Sequence, residues 1–478
     1  MSNVNTEATT SIKTLDGLRA VYFIGIGGIG MSAIARYFHA KGLRVSGYDR
    51  TSTELTRELE ANGIAIHYTE DLNRVDKEAD LVVYTPAIPA AHAELVWYRE
   101  QGYAVVKRSD VLQIISAGSY NICVAGTHGK TTISTMTAHL LRHSGYGCNA
   151  FLGGISSNYQ TNFWSSERNV CVIEADEYDR SFLKLSPDIA VISAMDADHL
   201  DIYGDEASIQ DAFIEFGGKV KEGGLLLAKF GLKRIREVKL TNRLSYSLQN
   251  DAADVYASDI RIRTGGYVFN AHVQGTVYSG LELNVGGMHN VENILVAIAI
   301  AHQLEIDGAK IRAAVADYKG VHRRFEYRLP PKKISEGAYV PPVLIDDYAH
   351  HPEELRALLS SARSLFPQRI VTVVFQPHLF TRTRDFAPGF AESLSLADRV
   401  ILLPIYPARE LPMEGVTSEL IGKDVSREVL LLGKEEMLSW MQEHAQTIDK
   451  EFGEVIVMAG AGDIDALVQP VKEILEKA

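Results

Sequence analysis

A glycine-rich segment, AGTHGKTT at 125–132, follows an apolar strand and opens a helix. It is a shortened phosphate-binding loop, because Val124 stands where the strict consensus has its first glycine. In such a loop the backbone N–H groups surround nucleotide phosphates, Lys130 supplies a point charge, and Thr131 offers a hydroxyl to Mg²⁺. The pattern therefore predicts an ATP site formed by Gly126, Thr127, His128, Gly129, Lys130, Thr131 and Thr132.

Two groups of acidic residues follow the next apolar strands, EADEYD at 174–179 and DADHLD at 196–201. In a doubly wound parallel sheet the carboxyl ends of the strands border the ligand crevice, and oxygen ligands there suit Mg²⁺. A solvated strand end is the alternative for some of these carboxylates, such as Asp179 and Asp201. A lone His199 would more often be a core or surface histidine, but its acidic surroundings and the preceding loop favour a metal-binding interpretation.

A second glycine motif, GIGGIG at 25–30, lies between another strand and helix, and Asp49 ends the strand after that. The glycines let backbone amides approach a pyrophosphate, and the helix dipole favours its charge. The motif predicts a phosphate or diphosphate site. A nicotinamide dinucleotide is the literal interpretation of the pattern, and a tight turn that binds nothing is the structural alternative.

Further polar residues gather at a helix start and at strand ends in the last part of the chain. GMHNVEN at 287–293 opens a helix, where Asn290 could cap the helix or contact an adenine edge. His and Arg side chains also cluster in RRF at 323–325, DDYAHHP at 346–352 and QPHLFTR at 376–382. Surface solvation is the alternative interpretation of Arg323 and Arg324.

The elements that must position these residues are strands and helices in alternation, which is typical of parallel α/β sheets. One such block runs from residue 20 to about 115, and a second begins near 120. Short alternating strands from about 235 to 285 predict an antiparallel insertion, and a third block with four buried-strand candidates follows. The 478 residues are consistent with about three domains of an α/β protein.

Charge and composition exclude several functions. The net charge of −13 argues against a nucleic-acid partner, which a basic face would bind, so any anionic ligand must be held by local donors. Three cysteines without a CxxC spacing, Cys123, Cys148 and Cys171, predict neither a zinc site nor a disulfide framework.

The chain shows no sign of membrane insertion. The first twenty residues lack the apolar core of a signal peptide, and the longest apolar run, ILVAIAIA at 294–301, is too short to span a bilayer. We therefore expect a cytoplasmic protein.

Together these motifs resemble those of the Mur ligase family. The residues that carry the resemblance extend from position 23 to 463 in the family's order: FIGIGGIGMS, AGTHGKTT, EADEYD, DADHLD, GMHNVEN, RRFE, DDYAHHP, FQPH-x-FTRTRD and GAGD. The resemblance implies a Rossmann-like domain for a UDP-linked substrate at 1–115 and a central ATP-binding domain at 116–325. A C-terminal Rossmann-like domain at 326–478 would contribute to ATP and amino-acid binding.

The resemblance also implies a reaction, the ATP-dependent ligation of L-alanine to the carboxylate of UDP-N-acetylmuramate through an acyl phosphate. It reinterprets the GIGGIG loop, which would hold the UDP diphosphate of the substrate and not a nicotinamide cofactor. The residues implied for the UDP substrate are Gly27, Gly28, Ile29, Gly30, Asp49 and Thr85.

Catalysis by such a ligase would need Lys130 and Mg²⁺ to stabilise charge on the transferring phosphoryl group. The resemblance places one Mg²⁺ on Thr131 and Glu174, and a second on Glu174 and His199. The implied catalytic residues are Lys130, Glu174, His199 and His350.

The remaining implied contacts concern ATP and the amino acid. Asn290 and Asn293 would contact the adenine, Arg324 a phosphate, and Asp347 the ribose. The four residues implied to surround the incoming alanine are Tyr348, His350, His378 and Arg382.

The sequence departs from the family pattern at Leu379, where many alanine-adding members have arginine, and at Ala349, where glycine is frequent. We expect only small-molecule substrates as partners, and a monomer or a homodimer. A ligase that recycles a murein tripeptide is the alternative within the family. Outside it, the alternatives are a nicotinamide-dependent oxidoreductase fused to an ATPase, and a P-loop switch or binding module without ligation chemistry.

Overall fold

The structure is a computed structural model, and it describes residues 14–178, 180–196, 200–332, 339–408 and 410–477. These residues form two compact units. Unit 1 contains the described residues up to Tyr256 together with Asn293–Ala314, and unit 2 contains Ala257–Glu292 with the described residues from Val315 onward. Each unit is described by itself below.

The strands are β1 Ala20–Ile24, β2 Arg44–Tyr48, β3 Ala65–His67, β4 Leu81–Tyr84, β5 Val105–Lys107, β6 Tyr120–Ala125, β7 Asn149–Ser156, β8 Thr161–Trp164, β9 Val170–Glu174, β10 Ile189–Ile192, β11 Leu225–Lys229, β12 Arg243–Ser247, β13 Val255–Arg263, β14 Gly266–Val273, β15 Thr276–Leu283, β16 Glu326–Leu329, β17 Val343–Asp347, β18 Ile370–Phe375, β19 Arg399–Leu402, β20 Glu428–Leu431 and β21 Glu454–Ala459.

The helices are α1 Ile29–Ala40, α2 Glu54–Ala61, α3 Ala93–Glu100, α4 Arg108–Ala117, α5 Lys130–His143, α6 Leu200–Tyr203, α7 Glu206–Gly218, α8 Met288–Gln303, α9 Gly308–Asp317, α10 Pro352–Leu365, α11 Phe380–Leu394, α12 Glu419–Gly422, α13 Lys434–Ala445 and α14 Asp465–Lys477. Two short 3₁₀ helices cover Ser181–Lys184 and Ile235–Glu237.

The first sheet of unit 1 is parallel and has the strand order β3-β2-β1-β4-β5. Its central strand β1, AVYFI, is buried along its whole length, because helices cover both faces of a parallel sheet. Val21 and Phe23 point into the main apolar core of unit 1, while Tyr22 and Ile24 enter a smaller cluster on the opposite face.

The second sheet of unit 1 has the order β12-β11-β10-β6-β9-β7-β8, and only the β7–β8 pair at its edge is antiparallel. Helix α1 of the first sheet packs against β7 and β8, where Tyr37 meets Phe151 and Phe163. The Asn162 side chain also donates to the Ile29 carbonyl and to the Ser32 hydroxyl. One continuous core therefore joins both sheets of unit 1.

Unit 2 contains the antiparallel β14–β15 pair and a six-stranded sheet with the order β16-β17-β21-β18-β19-β20. In that sheet only β16 is antiparallel to its neighbour. Helix α10 starts where the sequence favours a start: Pro352 occupies its first turn, and the Glu354 carboxylate accepts from the His351 backbone N–H. The predicted α/β fold with three mainly parallel sheets and an antiparallel insertion is confirmed, whereas the exact domain boundaries stay a prediction.

Candidate nucleotide and amino-acid sites

The AGTHGKTT loop of unit 1 joins β6 to α5 and places the first-turn amides of α5 at its tip. Gly129 caps the helix in the left-handed region at φ +83°, a conformation that glycine adopts without strain. Gly126 also has a positive φ, and a Cβ there would collide with Ser193. The Ser193 hydroxyl holds the loop from below by hydrogen bonds to the Ala125 and His128 carbonyls.

The Lys130 ammonium lies inside the loop, where it donates to the Gly126 carbonyl and to Glu177 Oε1, both at 2.8 Å. The Glu177 side chain is fully buried, and that of Lys130 is 16 % exposed. Burial raises the pKa of the Glu177 carboxyl, and the charge of Lys130 opposes that shift. Glu177 thus fixes the direction of the lysine. It is a site residue that the sequence analysis did not assign, although it belongs to the EADEYD segment.

Thr131 and Glu174, the predicted Mg²⁺ ligands, lie together at the carboxyl end of β9. The Thr131 hydroxyl donates to Glu174 Oε1 at 2.9 Å, and the Gly153 N–H donates to Oε2 at 2.8 Å. A Cβ on Gly153 would overlap both carboxylate oxygens, so glycine is required beside Glu174. Hydroxyl and carboxylate oxygens that face one another beside a phosphate loop fit Mg²⁺.

Other predicted residues of the ATP site are placed in part. Thr127 is buried and accepts the Asp196 backbone N–H, while His128 is exposed with Nε2 3.8 Å from Asp196 Oδ2. Thr132 follows Thr131 in the first turn of α5. His199, with Asp179 and the side chain of Asp201, lies outside the described residues. Among the described residues there is no group of three or more His, Cys, Asp or Glu side chains that could hold a metal ion.

The two asparagines of the GMHNVEN segment have different surroundings. Asn293 belongs to unit 1, where a Cβ added to Gly129 would lie 3.3 Å from Asn293 Oδ1, so its amide borders the phosphate loop. Asn290 belongs to unit 2, and its side-chain amide donates to the Gly286 carbonyl at 2.6 Å. This bond differs from an N-cap, in which the side chain would accept a first-turn N–H, and the adenine contact of Asn290 stays a prediction.

The GIGGIG loop connects β1 to α1 in unit 1. The Gly27 N–H donates to Asp49 Oδ2 at 2.8 Å, and the Gly28 N–H donates to the Gly25 carbonyl at 3.2 Å. These two amides are therefore engaged within the protein. The first-turn amides of α1 at Ile29 and Gly30 are the ones that an anion would meet, because a helix cannot satisfy them itself.

The predicted residues Asp49 and Thr85 both touch this loop. Asp49 orders it through the Gly27 N–H, and the Thr85 methyl group packs under Gly25, where a Cβ would come within 2.9 Å of it. Arg108 is a neighbour that the sequence analysis missed. Its guanidinium lies over Gly30, so close that a Cβ there would overlap it, and Nη2 is 3.8 Å from Asp176 Oδ2. A cation beside the GIGGIG loop is well placed for an anionic substrate, but Arg108 lacks a motif that would have indicated it.

In unit 2 the four residues predicted to surround the amino acid lie close together. The rings of Tyr348 and His350 are 5.2 Å apart, and those of His350 and His378 are 6.2 Å apart. Arg382, in the first turn of α11, has its Nη1 3.4 Å from His378 Nδ1. The loops after β17 and β18 therefore bring the cluster to one edge of the sheet.

His350 has the character of a neutral base. Its Nδ1 lies 2.9 Å from the Tyr348 carbonyl, which only accepts, so Nδ1 carries the proton and Nε2 keeps its lone pair. Burial lowers the pKa of His350, and the nearby charges of Arg382 and Arg324 lower it further against the opposing effect of Glu354. Burial, followed by Arg382 and His350, also lowers the pKa of His378.

The paired acids after β17 organise the RRF segment. Asp347 accepts the Phe325 N–H at 2.7 Å and the Ala349 N–H at 2.8 Å, and burial raises its pKa to about 6. Asp346 is more deeply buried, and burial raises its pKa to about 7. Arg323 Nε is 3.6 Å from Asp346.

The two arginines of the RRF segment differ in exposure. The Arg323 guanidinium donates a hydrogen bond to the Gly460 carbonyl, and this contact gives Arg323 a structural role. Arg324 is exposed with its guanidinium 6.0 Å from the centre of the Tyr348 ring, and is the one available to a phosphate.

The helix that carries Arg382 begins in a strained conformation. Leu379 caps α11 at φ +69° and ψ 137°, a combination that side chains rarely adopt. Its N–H donates to the Tyr406 carbonyl at 2.9 Å, and Glu410 accepts from the Thr381 N–H at 3.0 Å. A loop after β19 thus holds the start of α11, a feature that no motif in the sequence indicated.

The fold and the two glycine loops define a nucleotide-dependent enzyme of the α/β class. Three sequence profiles of one family match the chain in order: the Mur ligase family catalytic domain at residues 20–120, the Mur ligase middle domain at 124–301, and the Mur ligase glutamate ligase domain at 323–463.

Relatives match over nearly the full length. The chain is 47 % identical over 467 residues to the UDP-N-acetylmuramate–L-alanine ligase of Porphyromonas gingivalis, which covers 96 % of this chain and 99 % of that protein. It is 44 % identical over 476 residues to the ligase of the same name from Cytophaga hutchinsonii, with 97 % and 98 % covered. The chain therefore belongs to the Mur ligase family and is an ATP-dependent ligase.

Solved structures agree with this assignment. The UDP-N-acetylmuramate–alanine ligase of Thermotoga maritima matches with a TM-score of 0.77 and 28 % identity, covering 96 % of this chain and 99 % of that one. A murein peptide ligase from Psychrobacter arcticus shares the fold with a TM-score of 0.65 and 21 % identity, over 96 % and 99 % of the two chains. The predicted family, fold class and enzyme class are confirmed. Separately, none of the helices in the described part of the chain has the length and apolar character to cross a bilayer.

Proposed function

We propose that the protein joins L-alanine to the carboxylate of UDP-N-acetylmuramate in an ATP-dependent reaction. The products are UDP-N-acetylmuramoyl-L-alanine, a precursor of peptidoglycan, together with ADP and phosphate. The observation that carries the proposal is the full-length identity of 47 % to a ligase named for this reaction.

Phosphoryl transfer is the work of unit 1. The substrate carboxylate must approach a triphosphate of the same charge, so the site has to neutralise both. Lys130, which Glu177 holds in position, would stabilise negative charge on the transferring phosphoryl group. The first-turn amides of α5 would bind the phosphates of ATP. Arg108 and the first-turn amides of α1 would hold the anionic UDP substrate.

Thr131 and Glu174 would hold Mg²⁺, which would screen the phosphate oxygens of ATP. The role of Gly153 is to leave room for the Glu174 carboxylate and to orient it by a backbone N–H. A second cation on Glu174 and His199 belongs to the same proposal.

Amide formation needs a free amine and a fixed amino-acid carboxylate. Alanine arrives as an ammonium, which cannot attack an acyl phosphate until it loses a proton. His350 Nε2, neutral with a lowered pKa, is the group in unit 2 suited to take that proton. The Arg382 fork is suited to bind the alanine carboxylate with two hydrogen bonds, while Tyr348 and His378 limit the room for a side chain.

The test measures ADP formation by the full-length protein with UDP-N-acetylmuramate, L-alanine and Mg²⁺, omitting one component at a time. We expect turnover only with all components present, and a product heavier than the UDP substrate by one alanine residue. His350→Gln should lower kcat strongly at pH 7, and this loss should be smaller at higher pH, where more of the amine is already free. Turnover that is independent of the amino acid would contradict the proposal.

The alternative ligand of the GIGGIG loop is tested by binding. Calorimetry with UDP-N-acetylmuramate should give a saturable signal, and NADH should give none. Micromolar NADH binding without binding of the UDP substrate would favour the oxidoreductase alternative.

A further inference from the structure

A cleft of about 510 Å³ opens in unit 1 at the ends of two helices, α1 and α5. Helix α1 begins at the GIGGIG loop and α5 begins at the AGTHGKTT loop, and both end at this cleft. A helix of 12 residues is about 18 Å long and one of 14 residues about 21 Å, so the cleft is remote from both phosphate loops. Phe163 and Trp164 of β8 complete its wall.

The lining of the cleft has an unusual charge for this protein. Arg36, His39 and Arg142 line it, and none of the described lining residues is acidic, although the chain carries a net charge of −13. The two arginines favour an anionic ligand here, because the net charge of the protein as a whole repels one. Asn62 at the mouth and Ser166 add neutral polar groups.

Helix dipoles account for only part of the positive charge in the lining of the cleft. A cation at the C-terminal end of a helix interacts favourably with the helix dipole, which explains Arg142 at the end of α5. Arg36 differs, because its side chain is 15 % exposed and its Nη2 is paired with Glu58 at 2.9 Å. Its Nε is buried and lacks an acceptor among the described residues, so Glu58 satisfies only part of this guanidinium.

Part of the lining of the cleft is apolar and largely buried. Phe163 and Trp164 are 6 % and 7 % exposed, and Ile64 is buried beside them. The Arg142 guanidinium lies 5.2 Å from the centre of the Trp164 ring and 4.1 Å from that of Tyr159, so these two rings hold it in place. A volume of this size is in the range of small-molecule sites, roughly 300–1,000 Å³.

We propose that this cleft is a second ligand site, which binds a small organic anion that joins a flat apolar group to a phosphate or a carboxylate. The apolar group would contact the parts of Trp164 and Phe163 that line the cleft. The anionic group would be held by Arg36 and Arg142. Because the cleft lies where the α1 and β8 elements of the two sheets meet, a bound ligand would contact both sheets of unit 1.

The chain provides its own reporter. It has three tryptophans, and replacing two of them, Trp97→Phe and Trp440→Phe, leaves Trp164 as the sole tryptophan of the full-length protein. The probes are phenyl phosphate, phenylacetate, phenol and inorganic phosphate, added with saturating ADP to occupy the phosphate loop. We expect saturable quenching by phenyl phosphate or phenylacetate with a Kd of about 1 mM, as suits a ligand of this size, and at least tenfold weaker binding of phenol. Whichever anion binds more tightly identifies the group that the arginines prefer.

Variants locate the binding. Arg142→Gln should raise the Kd by at least tenfold, and so should Arg36→Gln if it folds. Ala40→Phe, at an exposed position of α1 that lines the cleft, should abolish binding by filling it. The matched control is Arg168→Gln, which removes an arginine that also stacks on a tyrosine, at 3.7 Å from the Tyr146 ring, but does not line the cleft.

Two results would overturn the proposal. One is an absence of quenching by both anions at concentrations of about ten times the expected Kd. The other is binding that Arg142→Gln and Ala40→Phe leave unchanged. Neither result depends on the ligase reaction, because the signal is the fluorescence of Trp164.

Discussion

Truncation of Lys130 should impair both the chemistry and the stability of unit 1, and the two effects are separable. In Lys130→Ala the buried Glu177 carboxylate loses the ammonium that lies 2.8 Å from it. Removing one partner of a buried ion pair costs about 3–5 kcal/mol. Because the Lys130 side chain is 16 % exposed, we take the lower end, about 3 kcal/mol. For a cooperative unit of about 280 residues, with an unfolding entropy of about 2.1 cal/mol/K per residue, that corresponds to a fall in Tm of about 5 °C.

A second substitution tests the cause. Lys130→Ala combined with Glu177→Gln replaces the unpaired carboxylate by a neutral amide, and should recover more than half of the lost Tm while turnover stays low. Turnover should fall on the order of a thousandfold in both variants, because both lack the ammonium at the transferring phosphoryl group. Lys219→Ala, which breaks an exposed pair with Glu215, is the control and should change Tm by little.

The pH dependence has a definite sign. Without Lys130 the pKa of Glu177 rises further above its unfolded value, so the folded state binds more protons at intermediate pH, and stability falls as pH rises. The loss of Tm in Lys130→Ala should therefore be larger at pH 8 than at pH 5.5. Differential scanning calorimetry and an ADP-release assay measure the two effects. Equal losses of Tm in the single and double variants, or turnover within tenfold of the unmodified protein, would refute this reasoning.

Three further substitutions test other parts of the sites. Gly153→Ala should displace the Glu174 carboxylate and lower turnover about 100-fold or more at every Mg²⁺ concentration, whereas Gly218→Ala, with open space around it, should have no effect on ADP release. Burial raises the pKa of the Asp346 carboxyl in the folded protein to about 7, so the unmodified protein should lose stability as pH rises from about 4 to about 7. Asp346→Asn should abolish this loss, and Tm measured across that pH range tests it. Arg382→Lys should raise the KM for alanine by tenfold or more with a smaller change in kcat, because a point charge cannot reproduce the guanidinium fork; equal KM values in steady-state kinetics would exclude that contact.

The sequence predicted those parts of the protein whose physics is local. The AGTHGKTT and GIGGIG loops were recognisable because a strand, a glycine turn and a helix start must be adjacent in the chain to bind phosphate. The clustering of His350, His378 and Arg382 also followed from the order of the strands, since carboxyl ends of parallel strands meet at one edge.

The features that were missed depend on tertiary contacts. Arg108 reaches Gly30 only because α4 and α1 lie side by side, and the partnership of Lys130 with Glu177 joins residues 47 positions apart. The hydrogen bond from the Thr381 N–H to Glu410, which fixes the start of α11, joins residues 29 positions apart. Local patterns carry no signal for such pairs, because their residues are ordinary in type and spacing.

The central claim is that the acceptor is a single small amino acid, and a competition experiment tests it most directly. The protein is supplied with ATP, Mg²⁺, UDP-N-acetylmuramate and equal concentrations of L-alanine and L-Ala-γ-D-Glu-meso-diaminopimelate, and the UDP products are separated by mass. The account predicts that UDP-N-acetylmuramoyl-L-alanine forms in large excess, with a higher kcat/KM for alanine than for the tripeptide. Preferential formation of the tripeptide product would contradict it and identify a murein-tripeptide recycling ligase.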